Sequence, residues 1–373
     1  MNVRYFVVVA SIATVMLVTS PAFSGPQGES KTSGEKGRKS SLKTSNSNTV
    51  YRTIKTNANM FHFEERLKHT FAQAEKKDPA ALPSVEKIKG EKEELGREQI
   101  AELISNPLSY LWFGIIQNDT SWWNGKILDT LNESSKVNNT TIIQPVMSMQ
   151  VTEKWKMIFR PVIPINSFRT IKGFNIPEAE PTGTSTSTTA DFDRETGLGD
   201  IVLWTAFTNH YKPPFVYGFG PTVMMDTASD KSLGTGKWSA GPMGMATYIG
   251  EKWILGAIAQ HWWSFAGDND RNSVSLTDFQ YIIRYRLTKE TNIGMAPNVQ
   301  YNWDASSGER LRLPVGIGAD TLVYLGPFPV KIGLEYHYYL EQPDAYGPQH
   351  LLRFVFAPVV PAPAWSRKPL FGK

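Results

Sequence analysis

From about Asn106 onward, apolar and polar residues alternate again and again. Thr291 to Asp304 shows the pattern. Thr291, Ile293, Met295, Pro297, Val299, Tyr301 and Trp303 share one register, and Asn292, Gly294, Ala296, Asn298, Gln300, Asn302 and Asp304 share the other. A strand sends successive side chains to opposite faces, so this stretch has one apolar and one wet face. Strands of globular proteins run about five or six residues. A tilted strand crossing a bilayer needs about nine to eleven. The length of these stretches therefore predicts strands that cross a membrane.

Twelve segments fit: Leu108–Asn118, Thr141–Thr152, Trp155–Ile165, Gly199–His210, Phe215–Asp226, Lys237–Ile249, Lys252–Ala266, Val274–Thr288, Thr291–Asp304, Arg310–Leu325, Phe328–Glu341 and Gln349–Val360. Their connections alternate in length. Glu153–Lys154, Tyr211–Pro214, Gly250–Glu251, Lys289–Glu290 and Gly326–Pro327 are tight. Asp119–Thr140, Asn166–Leu198, Thr227–Gly236, Gly267–Ser273 and Gln342–Pro348 are longer and polar, and Ala305–Gly308 is short for its class. Short turns at one end and long loops at the other, with an even strand count, are the pattern of bacterial outer-membrane barrels. The expected fold is all-β: a transmembrane antiparallel up-and-down β-barrel of about 12 strands. It covers 106–361, with a C-terminal tail at 362–373 and both termini in the periplasm.

The registers predict which face meets lipid. In Arg310–Leu325, Leu311, Leu313, Val315 and Ile317 oppose Arg310, Arg312, Gly316, Gly318 and Asp320. In Phe328–Glu341, Val330, Ile332, Leu334, Tyr336 and Tyr338 oppose Lys331, Gly333, Glu335, His337 and Glu341. In Val274–Thr288, Phe279, Tyr281, Ile283 and Tyr285 oppose Asp278, Gln280, Arg284 and Arg286. An Arg or Lys on the lipid face costs about 2–4 kcal/mol at mid-bilayer, so the charged register must point inward. The expected lumen-facing charges are Asp200, Asp278, Arg284, Arg286, Arg310, Arg312, Asp320, Lys331 and Glu335. A soluble β-sandwich would bury the apolar register instead, and periodicity alone does not separate the two. Strand length, the N-terminal pattern and the aromatic content favour the barrel.

The first 24 residues read as a secretory signal peptide. Arg4 precedes an apolar run from Tyr5 to Val18, and Ala22 and Ser24 are small residues before Gly25. Residues 25–59 are rich in Ser, Thr, Asn, Lys and Gly and read as a disordered linker. Phe61, Phe63, Leu67 and Phe71 then fall near helical spacing, with Glu64 and Lys68 as an i,i+4 pair. A second helical piece runs from Pro83 to Ile104. This periplasmic segment is expected to be a solvated linker, with a plug or docking helix as the alternative.

Composition narrows the class further. No stretch after Gly25 has 18 consecutive apolar residues, which excludes transmembrane helices. There is no cysteine, so no disulfide assists the fold. Aromatics are 12% of the chain, including 11 Trp and 14 Tyr. Trp and Tyr favour the membrane–water interface. Trp253, Trp262, Trp263, Trp303, Tyr336 and Tyr338 are the expected interface aromatics. A net charge of +4 over 373 residues does not argue for nucleic acid.

Several motifs resemble one family. They are Gly197-Leu198-Gly199-Asp200-Ile201, Gly220-Pro221, Gly234-Thr235-Gly236-Lys237-Trp238 with Gly241-Pro242, and His261-Trp262-Trp263-Ser264-Phe265-Ala266-Gly267. Together they are similar to Gram-negative outer-membrane barrels labelled neuromedin U-like proteins or transporters. That group overlaps the phenol-degradation meta-pathway outer-membrane family. The resemblance covers 106–361 and implies a barrel in the outer membrane, with no settled substrate. The expected partners are outer-membrane lipid and lipopolysaccharide, the barrel-assembly machinery and a small-molecule solute.

Candidate chemistry is sparse. The six histidines show no metal-ligand spacing, and no cofactor is expected. There is no G-x-S-x-G. A lipid hydrolase would need His261 with Ser264, or His210 with Asn209, so the chain reads as a non-enzyme. Asp200 suits structural pairing. Arg160, Arg284, Arg286, Arg310, Arg312, Lys331, Glu335 and Arg353 can line a selective pore or plug it with salt bridges. The acidic loops at Asp226–Lys231 and Gly267–Arg271 suit solvated tips, or divalent-ion bridging to lipopolysaccharide. The leading expectation is passive passage of small solutes, with the resemblance implying hydrophobic or aromatic ones; the alternative is a closed structural or surface-interaction barrel.

Overall fold

The computed structural model describes residues 111–175, 189–209, 214–326 and 328–371. The signal peptide, the linker and the helical segment expected before 106 lie outside the described residues, as does His210.

Fourteen strands form one antiparallel sheet. They are β1 (Leu111–Asn124), β2 (Lys136–Gln150), β3 (Trp155–Asn175), β4 (Thr189–Leu198), β5 (Ile201–Asn209), β6 (Phe215–Met225), β7 (Lys237–Ile249), β8 (Trp253–Gly267), β9 (Ser275–Arg286), β10 (Thr291–Met295), β11 (Asn298–Asn302), β12 (Leu311–Leu325), β13 (Phe328–Glu341) and β14 (Gly347–Pro361). Two pairs are halves of single staves. β4 and β5 both pair with the long β3, and β10 and β11 both pair with β9 and β12. The staves therefore number twelve among the described residues, and β1 pairs with β14 to close the barrel. A helix α1 (Lys126–Thr130) sits between β1 and β2.

The twelve expected segments all fall on staves, in order. Their ends differ. β1 runs on to Asn124, β2 starts at Lys136, and β3 and β4 form a hairpin reaching Asn175 and Thr189. Half of Asp119–Thr140 and all the described residues of Asn166–Leu198 are therefore strand rather than loop. The alternation fades there because polar residues enter the outward face as well. Outward-facing Asn118 donates to Asn139 (3.0 Å) and Thr141 (2.8 Å), and Asn139 donates to Thr120 (2.9 Å). This polar ladder satisfies itself across β1 and β2 without apolar residues.

The outward face is apolar and the inward face mixed. Phe219, Leu255, Trp263, Phe279, Ile283, Ile317, Leu334 and Tyr336 are exposed on the outside. Ser148, Gln144, Thr222, Asp278, Asp320, Glu335, His337 and Arg353 are buried on the inside. Aromatic rings mark two levels of the outer wall. Trp155, Phe215, Tyr248, Trp253 and Tyr285 lie near the short turns; Trp263, Tyr301, Trp303, Tyr336 and Tyr338 lie toward the long loops. Beyond Pro361 the chain turns back on itself. Trp365 packs edge-on against Trp112 at 5.7 Å, and the amides of Leu370 and Phe371 donate to the carbonyls of Gln150 (3.1 Å) and Val151 (2.9 Å).

Candidate functional site: the barrel lumen

Two unlike walls face each other inside the barrel. On the β3–β8 side, Ile158, Trp204, Ala206, Met243 and Met245 form a buried apolar cluster, with Val146, Val162 and Ile258 against it. Trp262 belongs to this interior. It is 3% exposed and its indole N–H donates to Thr222 Oγ1 at 3.1 Å. The expectation that Trp262 sits at the membrane interface is therefore corrected. Adjacent residues of a strand face opposite ways, so only Trp263 of the pair stands outside. Trp253, Trp303, Tyr336 and Tyr338 also face outward.

The opposite wall, from β9 through β14 to β1, is charged. Arg284 lies 2.7 Å from Asp320 and also pairs with Glu335. Lys331 Nζ is 2.9 Å from Asp320, and Asn292 donates to the same carboxylate at 2.9 Å. His337 Nε2 lies 3.0 Å from Glu335. Arg353 grips Asp119 with two bonds of 2.9 Å. Asp278 accepts from Asn298 (2.9 Å), Gln300 (3.1 Å) and Gln260 (3.4 Å). Asn292 opposite Arg286 sets that arginine in the same inward register.

These charges are nearly dry. The side chains of Arg284, Asp320, Glu335, Arg353 and Asp119 are between 4 and 12% exposed. A wide aqueous pore lined by them would leave them wet. The lumen is filled at this height. β12 gives Glu335 and His337 room by carrying glycine at positions 316 and 318. A Cβ on Gly318 would meet Glu335 Cγ at 2.5 Å, and one on Gly316 would collide with His337.

The β10–β11 stave also narrows the lumen. Thr291–Asp304, expected as one regular strand, breaks between Met295 and Asn298. The register with β12 is the same on both sides of the break: Gly294 opposes Gly318, and Gln300 opposes Arg312. Nothing has slipped; the stave has bowed inward. The Ala296 amide donates to Glu335 Oε2 at 3.0 Å, and its carbonyl accepts from Gln280 (3.0 Å) and Arg353 (3.2 Å). Gly294, at φ 146°, and Pro297, which has no amide hydrogen, permit the departure. Glycine and proline inside a strand pattern are the sequence signal for it.

Two arginines stand apart from the salt bridges. Arg160 donates to Gln144 at 2.9 Å and lies over the Trp204 ring at 5.2 Å. Arg312 donates to Gln300 at 3.3 Å and lies over Trp123 at 5.4 Å. Among the described ion pairs neither has a carboxylate partner.

Two expected lumen charges are elsewhere. Arg310 precedes β12, is exposed, and donates to the Ala305 carbonyl at 2.7 Å. It lies past the strand end, where the alternation no longer fixes a face. Asp200, at the joint of β4 and β5, fastens a loop. It accepts from the Thr235 amide (2.5 Å) and hydroxyl (2.7 Å), and from the amides of Ala228 (3.3 Å) and Thr227 (3.4 Å). Arg271 completes the clasp by donating to the carbonyls of Gly234 (2.6 Å) and Thr235 (3.2 Å). Asp119, Trp204, Met243 and Met245 were not singled out from the sequence.

The remaining candidates find local partners. His261 faces outward and meets Thr277 Oγ1 at 2.7 Å. Ser264 is on the inward register and accepts from the Val274 amide at 3.0 Å, so the two do not form a dyad. In the acidic loops, hydrogen bonds from the Ser232 hydroxyl and amide hold Asp230 below the usual carboxylate range. The Asp270 amide, then Lys231, do the same for Asp268. No group of three His, Asp or Glu side chains among the described residues is placed to hold a metal.

No family model matches the chain, and none of the curated proteins matches it. Solved structures are similar to it. One is an outer membrane channel from Pseudomonas putida F1, at TM-score 0.48 and 14% identity over 67% of this chain and 94% of that one. A NanC porin gives TM-score 0.37 and 8% identity over 66% and 98%. CymD, a monoaromatic hydrocarbon channel, gives 0.34 and 10% over 69% and 92%. Each is named as a channel or a porin.

Proposed function

We propose that this chain is an outer-membrane barrel that passes small solutes passively, with single-ring and other largely apolar compounds as its solute class. The observation that carries the reading is the two-walled lumen. Ile158, Trp204, Met243 and Met245 make one side of the interior apolar, facing the charged side. Aromatic faces and polarizable thioethers suit a ring-bearing ligand. Arg160 over Trp204 adds a cation at the edge of that surface.

The outward apolar belt between two aromatic levels supports placement in a bilayer, because Trp and Tyr favour its interfaces. The short turns then lie in the periplasm with both termini, and lipopolysaccharide surrounds the long-loop end. The assembly machinery of the outer membrane is the expected route of insertion. The neuromedin U-like and phenol-degradation labels remain a resemblance in motifs. A second reading, a closed structural barrel, is favoured by the dry charges around Arg284.

Single-channel recording in a planar bilayer tests the choice. Small, discrete conductance steps from well-folded protein are expected, narrow because the lumen is filled near Ala296. Absence of any conductance would favour the closed barrel.

A further inference from the structure

The lumenal cations are held in two ways. Arg284 and Lys331 are matched to Asp320 and Glu335, and Arg353 to Asp119. Arg160 and Arg312 are held differently, and alike. Each guanidinium donates to the side-chain oxygen of one glutamine, Gln144 or Gln300, and each lies over one indole, Trp204 or Trp123. A glutamine oxygen aims a guanidinium without cancelling its charge. Asp278 is within electrostatic reach of Arg160, but it is taken up by the amides of Asn298, Gln300 and Gln260, and no described ion pair joins the two.

The two stations stand at different heights. Gln144 donates to Gln117 at 3.4 Å, and Trp123 lies roughly 20 Å further along β1, toward the long loops. The lower station opens onto the apolar wall, where Ile158, Met243 and Met245 pack with Trp204. The upper station lies among rings: the Tyr346 centroid is 4.9 Å and the Phe168 centroid 6.2 Å from that of Trp123. Each station thus sets one uncancelled positive charge beside an aromatic and apolar surface. Tyr339, on the inward register of β13, is within electrostatic reach of Arg312. Its hydroxyl has no hydrogen-bond partner among the described residues, so a neutral donor is free beside the upper station.

We infer that these are two stepping sites for a ring-bearing monocarboxylate, which crosses the lumen by way of Arg312 with Trp123 and Arg160 with Trp204. The inference rests on the channel reading and narrows its solute class. A carboxylate fits the guanidinium fork through two parallel hydrogen bonds, and the ring then lies on the indole side of the site. A neutral hydrocarbon would cover the rings and leave a desolvated cation unpaired, which is costly. An anion without a ring would use the charge and leave the apolar surface empty. A dianion calls for two cations at one station, and each station has one that is uncancelled. Two sites in series also suit passage, because a solute must bind well enough to enter and loosely enough to leave.

The probes are benzoate, its neutral isostere benzamide, and acetate, which has the charge and no ring. Binding to the protein in detergent is measured by titration calorimetry, and occupancy of the lumen as block of the single-channel chloride current in a planar bilayer. Benzoate is expected to bind and to block, with benzamide and acetate weaker by about tenfold or more. Arg160→Gln and Arg312→Gln should each weaken benzoate by about tenfold, and Arg160→Lys should keep part of the affinity, because the charge remains without the fork. Should a glutamine variant fail to fold, judged by heat-modifiable migration, the three probes on wild-type protein and the lysine variant decide. Benzamide as tight as benzoate overturns the charged sites and leaves a channel for neutral rings. Acetate as tight as benzoate, or benzoate indifferent to both arginines, overturns them as well. Conducting protein that ignores benzoate overturns the sites and leaves the channel standing. Arginine-dependent benzoate binding by protein that does not conduct overturns the channel and leaves the sites. Protein that neither conducts nor binds overturns both.

Discussion

Asp119 and Arg353 stand directly opposite each other where the sheet closes, joined by two hydrogen bonds of 2.9 Å. They are 234 residues apart in sequence. Asp119 lies on the first described strand and Arg353 on the last, so their pairing fastens the barrel at its own seam. Arg353 also holds the Ala296 carbonyl, so the same guanidinium ties the closing strands to the bow.

Breaking this pair should destabilise the barrel. Both side chains are largely buried, and removing one partner of a buried pair costs about 3–5 kcal/mol because the other charge is left behind. Asp119→Leu alone should lower the urea midpoint of unfolding in detergent, and Asp119→Leu with Arg353→Met should recover most of the loss. A single variant as stable as wild type would show that the pair does not matter for closure.

Facing is tested by one strand. Ile317 is 69% exposed on the outward register of β12, and Arg312 is on the inward one. Ile317→Arg should cost about 2–4 kcal/mol on insertion into lipid vesicles. Arg312→Leu should insert nearly as well as wild type. The order of the two folding yields decides the register, and the reverse order would refute it.

Ion selectivity should follow the two lumenal arginines that have no carboxylate partner among the described residues. Arg160 and Arg312 are held by glutamines and stack on Trp204 and Trp123. They leave a positive potential in the lumen, so small anions should pass more readily than cations. Arg160→Gln with Arg312→Gln should move the reversal potential in a salt gradient toward cation preference. An unmoved reversal potential would place the ion path elsewhere.

Asp200 should govern a loop rather than the lumen. Asp200→Ala removes every bond it accepts from Thr227, Ala228 and Thr235. Lys231 in that loop is well exposed, so trypsin should cut after it faster in the variant. Thermal stability should fall only slightly. An unchanged cleavage rate would mean that Arg271 alone keeps the loop folded.

Local rules determined much of this molecule. The two-residue period fixed which side chains of β9, β12 and β13 face in and out, because a strand has no other way to place them. It placed Asp278, Arg284, Asp320, Lys331 and Glu335 inside and Trp253, Trp263, Tyr336 and Tyr338 outside. Where the period faded, the reading faded with it. The polar rim of β1 and β2 looked like loop, and Arg310 and Trp262 went to the wrong surroundings. Partnership was never local. Which carboxylates meet Arg284 depends on the pairing of β9, β10, β12 and β13, and that Asp119 meets Arg353 depends on closure. The bow at Ala296 depends on Glu335 and Arg353 reaching across β12, over glycines that leave them space. A glycine and a proline in a strand permit a break, but only charges supplied by distant strands decide its direction, because the pull on Ala296 exists only once the sheet has curled round to face itself.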